Sequence, residues 1–202
     1  MQQQTTKDRC IFTHQQLGFI SSKLLIGIAL GITIWGGFNW SMEVANTESY
    51  CLSCHEMQGN SFDELQETVH YSNRTGVRAS CPDCHVPKEW THKVVQKISA
   101  AMRELPAHWK GKLDTEEKFE QHRLEMAMSE WKRMTKNGSK ECKNCHDNQS
   151  MDFTKQEPRS SIQHEEAAKT GKSCIECHKG IAHHLPKGWK EAVKQLEMEK
   201  EK

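Results

Sequence analysis

The longest hydrophobic segment of the chain lies near its N-terminus. Residues 17–40 are apolar or neutral except for Lys23, and residues 24–38 form an unbroken run. That run alone is short for a bilayer, which needs about 20 apolar residues. The whole segment is long enough, because the side chain of Lys23 can extend to the lipid headgroups. With Trp35 and Trp40 suited to the far interface, the pattern predicts a transmembrane anchor in a lipid bilayer.

The charges that flank this segment predict its orientation. Basic residues precede or enter it and acidic residues follow it: Lys7, Arg9 and Lys23, then Glu43 and Glu48. Because positive flanks stay inside, residues 1–16 are expected in the cytoplasm and residues 41–202 in the periplasm of a single-pass inner-membrane protein. A cleaved signal peptide is the alternative, but Glu43 puts a charge where the cleavage site needs a small residue.

Beyond the anchor, apolar positions recur at helical spacing. One stripe predicts a helix that ends near Pro106 and consists of Trp90, Val94, Ile98, Ala101 and Leu105. A second helix is expected to start with Asp114 as its N-cap and to run to about Met134, before the Asn-Gly pair at 137–138. The charged tail after Pro186 is also predicted to be helical. Since no segment alternates like a strand, the fold class is mostly α.

Four copies of the motif C-x-x-C-H occur in this region, at 51–55, 81–85, 142–146 and 174–178. Two thiols three residues apart can each add to one vinyl group of a haem, and the following histidine can bind its iron. Zinc sites of four thiolates or C-x-x-C redox centres are alternatives, but neither needs a histidine after every pair. The motifs therefore predict four covalently bound c-type haems in a compact multihaem domain. Their residues are Cys51, Cys54, Cys81, Cys84, Cys142, Cys145, Cys174 and Cys177, with His55, His85, His146 and His178 as iron ligands.

Composition agrees with a haem-filled interior. Hydrophobic residues make up 35% of the chain and many of them lie in the anchor, so an ordinary core would be small. Four haems would supply the missing apolar surface, and their attachment outside the cytoplasmic membrane fits the predicted orientation. The 28 basic and 27 acidic residues nearly cancel, which gives no reason to expect a nucleic-acid partner. The ninth cysteine, Cys10, is expected to be an incidental free thiol.

The motifs fall into two pairs separated by a longer gap, which suggests two dihaem units over about 45–110 and 137–186. His70 and His164 precede the last motif of each unit by nearly the same distance. Electron-transfer haems usually have two strong axial ligands, so these two histidines are the first distal candidates. His183 or His184 is the third, and each of these residues could instead be a surface or hydrogen-bonding group.

The ligands of the first haem stay open. Met57 follows His55 by two residues and either binds the iron through its thioether or only packs on the porphyrin. His122, on one face of the second helix, could be a distal ligand to that haem. His92 and His108 are expected to be surface residues, and His14 lies on the cytoplasmic side of the anchor.

The anchor, the motif spacing, the C-x-x-C-H-x-M first site and the run GVRASCPDCHVP at 76–87 together resemble the NapC/NirT family of tetrahaem cytochromes. The runs WGGF at 35–38, FEQHRLEM at 119–126 and CHKGIAH at 177–183 look closer to the NapC type than to the shorter NrfH type. The resemblance covers nearly the whole chain. It implies a quinol dehydrogenase that takes electrons from menaquinol or ubiquinol and delivers them to a periplasmic reductase. Nitrate reductase is the expected partner, with reductases of nitrite, trimethylamine N-oxide or fumarate as alternatives.

The resemblance also implies specific residues. In relatives with the C-x-x-C-H-x-M site, the methionine can replace the motif histidine on the first haem, where electrons enter at the membrane surface. A lysine and an acidic residue seven positions later contribute to the quinol pocket. Lys97 and Glu104 have this spacing, although the family residue is often aspartate. They are nearly two helical turns apart and so share a face. Without a quinol pocket, the chain would be a non-catalytic electron relay and membrane tether, and Lys97 and Glu104 a solvated pair.

Overall fold

The structure is a computed structural model that describes residues 7–200, with the side chains of residues 21–195 and Met198. The side chains of Cys10 and His14 lie outside this set. Residues 7–200 contain no strand, which confirms the mostly α prediction. The helices are α1 (Lys7–Val44), α2 (Glu48–Cys51), α3 (Asp63–Gln66), α4 (Cys81–His85), α5 (Trp90–Trp109), α6 (Glu116–Lys136), α7 (Lys140–Lys143), α8 (Pro158–Thr170), α9 (Cys174–Cys177) and α10 (Trp189–Lys200), with a π-helical turn at Met57–Phe62 and 3₁₀ turns at Asn148–Ser150 and Phe153–Lys155.

Helix α1 contains the predicted anchor and forms a compact unit of its own. Its segment Ser21–Val44 is 24 residues long, has a mean hydropathy of 1.4, and has no buried residue in its most apolar stretch. It is the one helix in the described part of the chain that is long and apolar enough to cross a membrane. Thr33 and Asn39 donate hydrogen bonds to the carbonyls of Ala29 and Trp35, at 2.9 and 2.8 Å. Their polar groups are therefore satisfied without water, as lipid surroundings require.

The two long helices of the second unit correct the predicted boundaries. Helix α5 continues past Pro106 to Trp109, because the proline lies in the last turn and removes only one amide donor from the helix. Helix α6 is capped by Thr115 rather than Asp114: the Thr115 hydroxyl accepts from the Lys118 amide at 3.3 Å. Asp114 instead accepts from the Lys118 ammonium at 2.6 Å. The predicted helix after Pro186 is present as α10.

The apolar core of the second unit is small, as predicted. Its main cluster joins α6, α9 and α10 through Trp131, Met134 and Ile175, against which Trp189 packs. The rings of Trp131 and Trp189 meet edge to face with centroids 6.4 Å apart. The fully buried Ser139 accepts a hydrogen bond from the Ile175 amide at 3.1 Å, so the turn after α6 is tied to the fourth motif. The side chains of this core bury only a fraction of the surface that a domain of this size normally buries on folding.

A buried ion pair connects α3 to α6. Arg123 donates two hydrogen bonds to Glu64, at 2.6 and 3.0 Å, and the Glu64 carboxylate also accepts from the His184 amide at 3.0 Å. Both side chains are about nine-tenths shielded from solvent. Burial raises the pKa of Glu64, but the bonds from Arg123 and His184 outweigh it and hold the pKa below its usual value. This pair joins three segments that are distant in sequence.

We expect Arg123→Ala to lower the free energy of unfolding by about 3 kcal/mol, because it leaves the Glu64 carboxylate buried without its cation. Lys155→Ala is the matched control: its pair with Asp152 is exposed, so the loss should stay below about 0.5 kcal/mol. Chemical denaturation followed by circular dichroism in detergent measures both. Equal effects of the two substitutions would show that the buried pair does not stabilise the fold.

Candidate haem-binding centres

Four short helices carry the first cysteines of the C-x-x-C-H motifs: α4 and α9 also contain the second cysteine, whereas α2 and α7 end before it. Motifs two and four share a capping box: the Ser80 amide donates to Asp83 at 2.9 Å, and the Ser173 amide donates to Glu176 at 2.8 Å. The serine hydroxyls donate to the same carboxylates, at 2.6 and 2.8 Å. Because these caps hold the first turn, the second cysteine of each motif lies one turn beyond the first.

The first thiols of neighbouring motifs lie in contact as two pairs. Cys51 and Cys81 share a hydrogen bond, as do Cys142 and Cys174. No disulfide joins any of the eight motif cysteines. Within the described residues, the only group of three or more potential metal ligands is His55, Glu56 and His108, so the thiols do not gather into four-thiolate zinc sites.

Each motif histidine faces a histidine from outside the motifs. The ring centroids are 6.0 Å apart for His55 and His108, 6.2 Å for His85 and His183, 6.2 Å for His70 and His146, and 5.8 Å for His164 and His178. A metal–imidazole bond is about 2 Å long, so two axial imidazoles on one metal have ring centres roughly 6 Å apart. All four separations fit an iron held between two histidines.

The outer ring nitrogen of several of these histidines is occupied by a polar side chain. In the fourth pair the Nε2 atoms of His164 and His178 face each other at 3.5 Å, while Nδ1 of His164 meets Gln156 Oε1 at 2.5 Å. In the second pair, Nδ1 of His85 lies 3.0 Å from Glu130 Oε1. Metal-binding histidines commonly use their second nitrogen in this way, which fixes the ring's orientation.

Glu130 belongs to a larger network around His85. Arg133 donates to both Glu130 oxygens at 2.7 and 2.9 Å, and to the nearly inaccessible Glu141 at 2.7 Å. Burial raises the pKa of Glu130, but its bonds with His85 and Arg133 outweigh burial and lower the pKa to about 2. Burial lowers the pKa of His85, but the bond with Glu130 outweighs burial, so the pKa is raised overall. Glu130 is therefore an anion fixed against the second-motif histidine.

The structure separates the distal candidates from one another. His70, His164 and His183 each face a motif histidine, whereas the ring of His184 turns to Glu64 and Glu67, at 3.3 and 3.4 Å. Burial lowers the pKa of His183 to about 4; its ring is thus neutral at pH 7, as metal binding requires. Nδ1 of the half-buried His122 lies 2.9 Å from the carbonyl of Lys118. His122 faces no motif histidine.

His108 departs from the expectation that it is only a surface residue. Its side chain is 43% exposed, but Nδ1 lies 2.5 Å from Oε1 of the buried Glu56, next to His55. Burial raises the pKa of Glu56, but the bond with His108 outweighs burial, so the pKa lies below its usual value. Met57 is partly buried at the start of the π-helical turn. Glu56 was not predicted, although its place directly after the motif histidine was a usable signal.

Lys97 and Glu104 both lie on α5, within electrostatic reach of the first motif. The bond with Cys81 lowers the pKa of the Cys51 thiol; the charge of Lys97 lowers it further, while burial and Glu104 oppose the decrease. Lys97 is half-buried, whereas Glu104 is 66% exposed and pairs with Arg103 at 3.3 Å. A cation and a carboxylate of α5 thus contribute to the electrostatic environment of the first cysteine.

The chain is similar to known c-type cytochromes. The sequence matches the NapC/NirT cytochrome c family, N-terminal region, over residues 13–188. Denitrification system component NirT of Stutzerimonas stutzeri is 53% identical over 179 residues, which cover 89% of this chain and 87% of NirT. Cytochrome c-type protein NapC of Escherichia coli strain K12 is 52% identical over 167 residues, 83% of each chain.

A more distant relative is described as tetrahaem. The putative tetraheme cytochrome-c type protein of Allochromatium vinosum is 44% identical over 172 residues, covering 82% of this chain and 92% of that protein. No solved structure matches the chain. With most of its length aligned to these proteins and its motif cysteines free for attachment, the chain belongs to the NapC/NirT cytochrome c family and carries c-type haem.

Proposed function

We propose that this chain is a membrane-anchored tetrahaem quinol dehydrogenase that oxidises quinol and passes electrons to a periplasmic reductase. The observation that supports it most directly is the set of four facing histidine pairs, each with one histidine from a C-x-x-C-H motif. Paired imidazoles provide two strong axial ligands, which suit one-electron transfer because the iron's surroundings change little. Bound haem supplies that one-electron redox chemistry.

The proposed ligand set follows the pairs. The eight motif cysteines attach the haems. The pairs that would hold the irons are His85 with His183, His146 with His70, and His178 with His164. At the first centre His55 and His108 are the facing rings, and Met57 remains the alternative ligand that the family resemblance implies. Glu56 Oε1 lies 2.5 Å from Nδ1 of His108 and 3.7 Å from Nε2 of His55, so Glu56 orients the His108 ring whichever residue completes the centre.

Lys97 and Glu104 are the proposed quinol-handling residues. Quinol oxidation releases two electrons and two protons, and a carboxylate can accept a proton while an ammonium orients the oxygen that loses it. Their influence on the Cys51 thiol supports a position next to the first haem. The basic residues before the span and the acidic residues after it support a cytoplasmic N-terminus and a periplasmic haem region.

The reductase partner is proposed from the relatives. NapC and NirT are similar to this chain over most of its length, and NirT is named as a denitrification component. A periplasmic nitrate reductase is the partner we propose first. Reductases of nitrite, trimethylamine N-oxide or fumarate fit the same electron-delivering role.

A second candidate is a non-catalytic relay and tether. It is favoured by one observation: Glu104 is largely exposed and is paired with its neighbour Arg103, as an ordinary surface carboxylate would be. In that case another dehydrogenase would reduce the chain, and α5 would have no role in quinol oxidation.

Replacement of both Lys97 and Glu104 by alanine is expected to slow menaquinol- or ubiquinol-driven haem reduction at least tenfold, as loss of a general base and an orienting cation commonly does. The full chain in liposomes is followed at the haem α-band. Reduction by dithionite should be unchanged. The exposed pair Lys155 and Asp152 provides the matched double-alanine control. Unchanged quinol oxidation in the Lys97 and Glu104 variant would favour the relay.

His183→Ala and His184→Ala form a matched pair for the ligand assignment. We expect His183→Ala to convert one haem from low-spin to high-spin, since the iron loses an axial imidazole. His184→Ala should leave every haem low-spin, because that ring faces Glu64 and Glu67. Electron paramagnetic resonance of the oxidised proteins distinguishes the two. A high-spin signal from the His184 variant alone would reverse the assignment.

Glu130→Gln is expected to raise the midpoint potential of one haem by about 60 mV. For a one-electron couple, that shift corresponds to a tenfold change in the preference of the site for ferric over ferrous iron. The carboxylate makes the His85 imidazole more electron-donating, which favours the ferric state. Spectroelectrochemical titration measures the four potentials. Glu125→Gln on the exposed side of the same helix should change none of them, and an unaltered titration in the Glu130 variant would contradict the role.

A further inference from the structure

The histidine that faces the fourth motif is held by a short segment that precedes it on the chain. Gln156 Oε1 lies 2.5 Å from Nδ1 of His164, and the rings of Phe153 and His164 have centroids 6.1 Å apart. Because Nε2 of His164 faces His178, Gln156 occupies the outer nitrogen of the ring. Phe153 and Gln156 thus restrain the ring from outside the proposed iron site.

The local sequence sets this arrangement. The 3₁₀ turn at Phe153–Lys155 is capped by the side chain of Asp152 and ends at Gln156, whose backbone is extended. Pro158 then begins α8, and the residue before it has φ and ψ of −55° and 140°, as a following proline favours. This extended link between the turn and α8 places His164 beside the Gln156 amide. The half-buried residues of α8, at 161, 164 and 167, lie along one side of the helix.

The partner of the outer nitrogen differs between the second and fourth centres. At the second centre it is the Glu130 carboxylate, 3.0 Å from Nδ1 of His85, whereas at the fourth it is the neutral amide of Gln156. The two glutamates that follow His164 on α8 are exposed and lie about 100° and 160° around the helix from it. A carboxylate makes an imidazole more electron-donating than a neutral amide does.

We propose that Gln156 is the positioning residue of His164, and that its neutral amide gives the fourth haem a higher midpoint potential than the second. An electron-donating imidazole stabilises ferric iron, so the carboxylate at the second centre lowers the potential of that haem relative to the fourth. This ordering rests on the proposed function, in which His164 and His178 bind one iron. It adds a direction to that function, since electrons pass spontaneously from the lower-potential haem to the higher-potential one.

Gln156→Glu tests the role, because it keeps a hydrogen-bond acceptor but adds the charge that Glu130 supplies at the second centre. In the full haem-loaded chain in detergent, we expect one haem to change its preference for ferric iron tenfold, which lowers its midpoint potential by about 59 mV. Gln163→Glu is the matched control, since it makes the same change at an exposed position next to His164 and should leave the spectroelectrochemical titration unchanged. An unchanged titration in the Gln156 variant, or equal shifts in both variants, would overturn the proposal.

A double variant identifies which haems respond. Combined with Glu130→Gln, Gln156→Glu should shift two different components of the titration in opposite directions. In the unsubstituted protein, the component that responds to Gln156 should have the higher potential of the two. A single component that responds to both substitutions, no response to Glu130→Gln, or the reverse order of potentials would contradict the ordering.

Two further variants separate the orientation of the ring from the assignment of the ligand. Gln156→Ala should leave every haem low-spin but shift the largest g value of one signal in electron paramagnetic resonance, because the ring loses the bond that fixes its angle. An unaltered spectrum would show that Gln156 does not position His164. If His164→Ala leaves every haem low-spin, the proposed ligand set fails. If it makes one haem high-spin and Gln156→Glu changes no potential, the ligand set stands and the role of Gln156 fails.

Discussion

The placement of two imidazoles on opposite sides of a common point is the constraint on which the rest of this fold depends. Four such pairs occur in a unit whose buried apolar core is limited to a few side chains around Trp131 and Phe119. A domain with so little apolar burial is hard to stabilise by the hydrophobic effect alone. Coordination of iron by both rings, together with the apolar surface of the porphyrin, would supply the missing cohesion.

The pairs also link parts of the chain that the motif spacing separates. His70 lies in the first predicted dihaem unit but faces His146 in the second, and His183 in the second faces His85 in the first. Traces of a repeat persist in the two capping boxes and the two thiol contacts. The two units stay a prediction, but these pairs indicate that neither half would complete its iron ligands alone.

Sequence was sufficient for the features that depend on local chemistry. The apolar helix, the two long helices α5 and α6, and the haem motifs all follow from patterns within a few turns. The partners of individual histidines do not. His183 and His184 are adjacent in sequence and both lie near Glu64, and only the fold brings the His183 ring against His85. The same reason applies to His108, whose contact with Glu56 is formed only in the folded chain. The sequence also did not predict that α5 continues through Pro106. A proline is tolerated there because it lies in the last turn and removes only one amide donor.

Counting the haems and identifying their ligands in the purified full chain tests the central claim most directly. Intact-mass spectrometry gives the number of covalent haems, and near-infrared magnetic circular dichroism distinguishes bis-histidine from histidine–methionine ligation. The four pairs predict four haems, with bis-histidine ligation at the centres of His85, His146 and His178. Fewer than four haems, or methionine ligation at any of those three centres, would contradict the account.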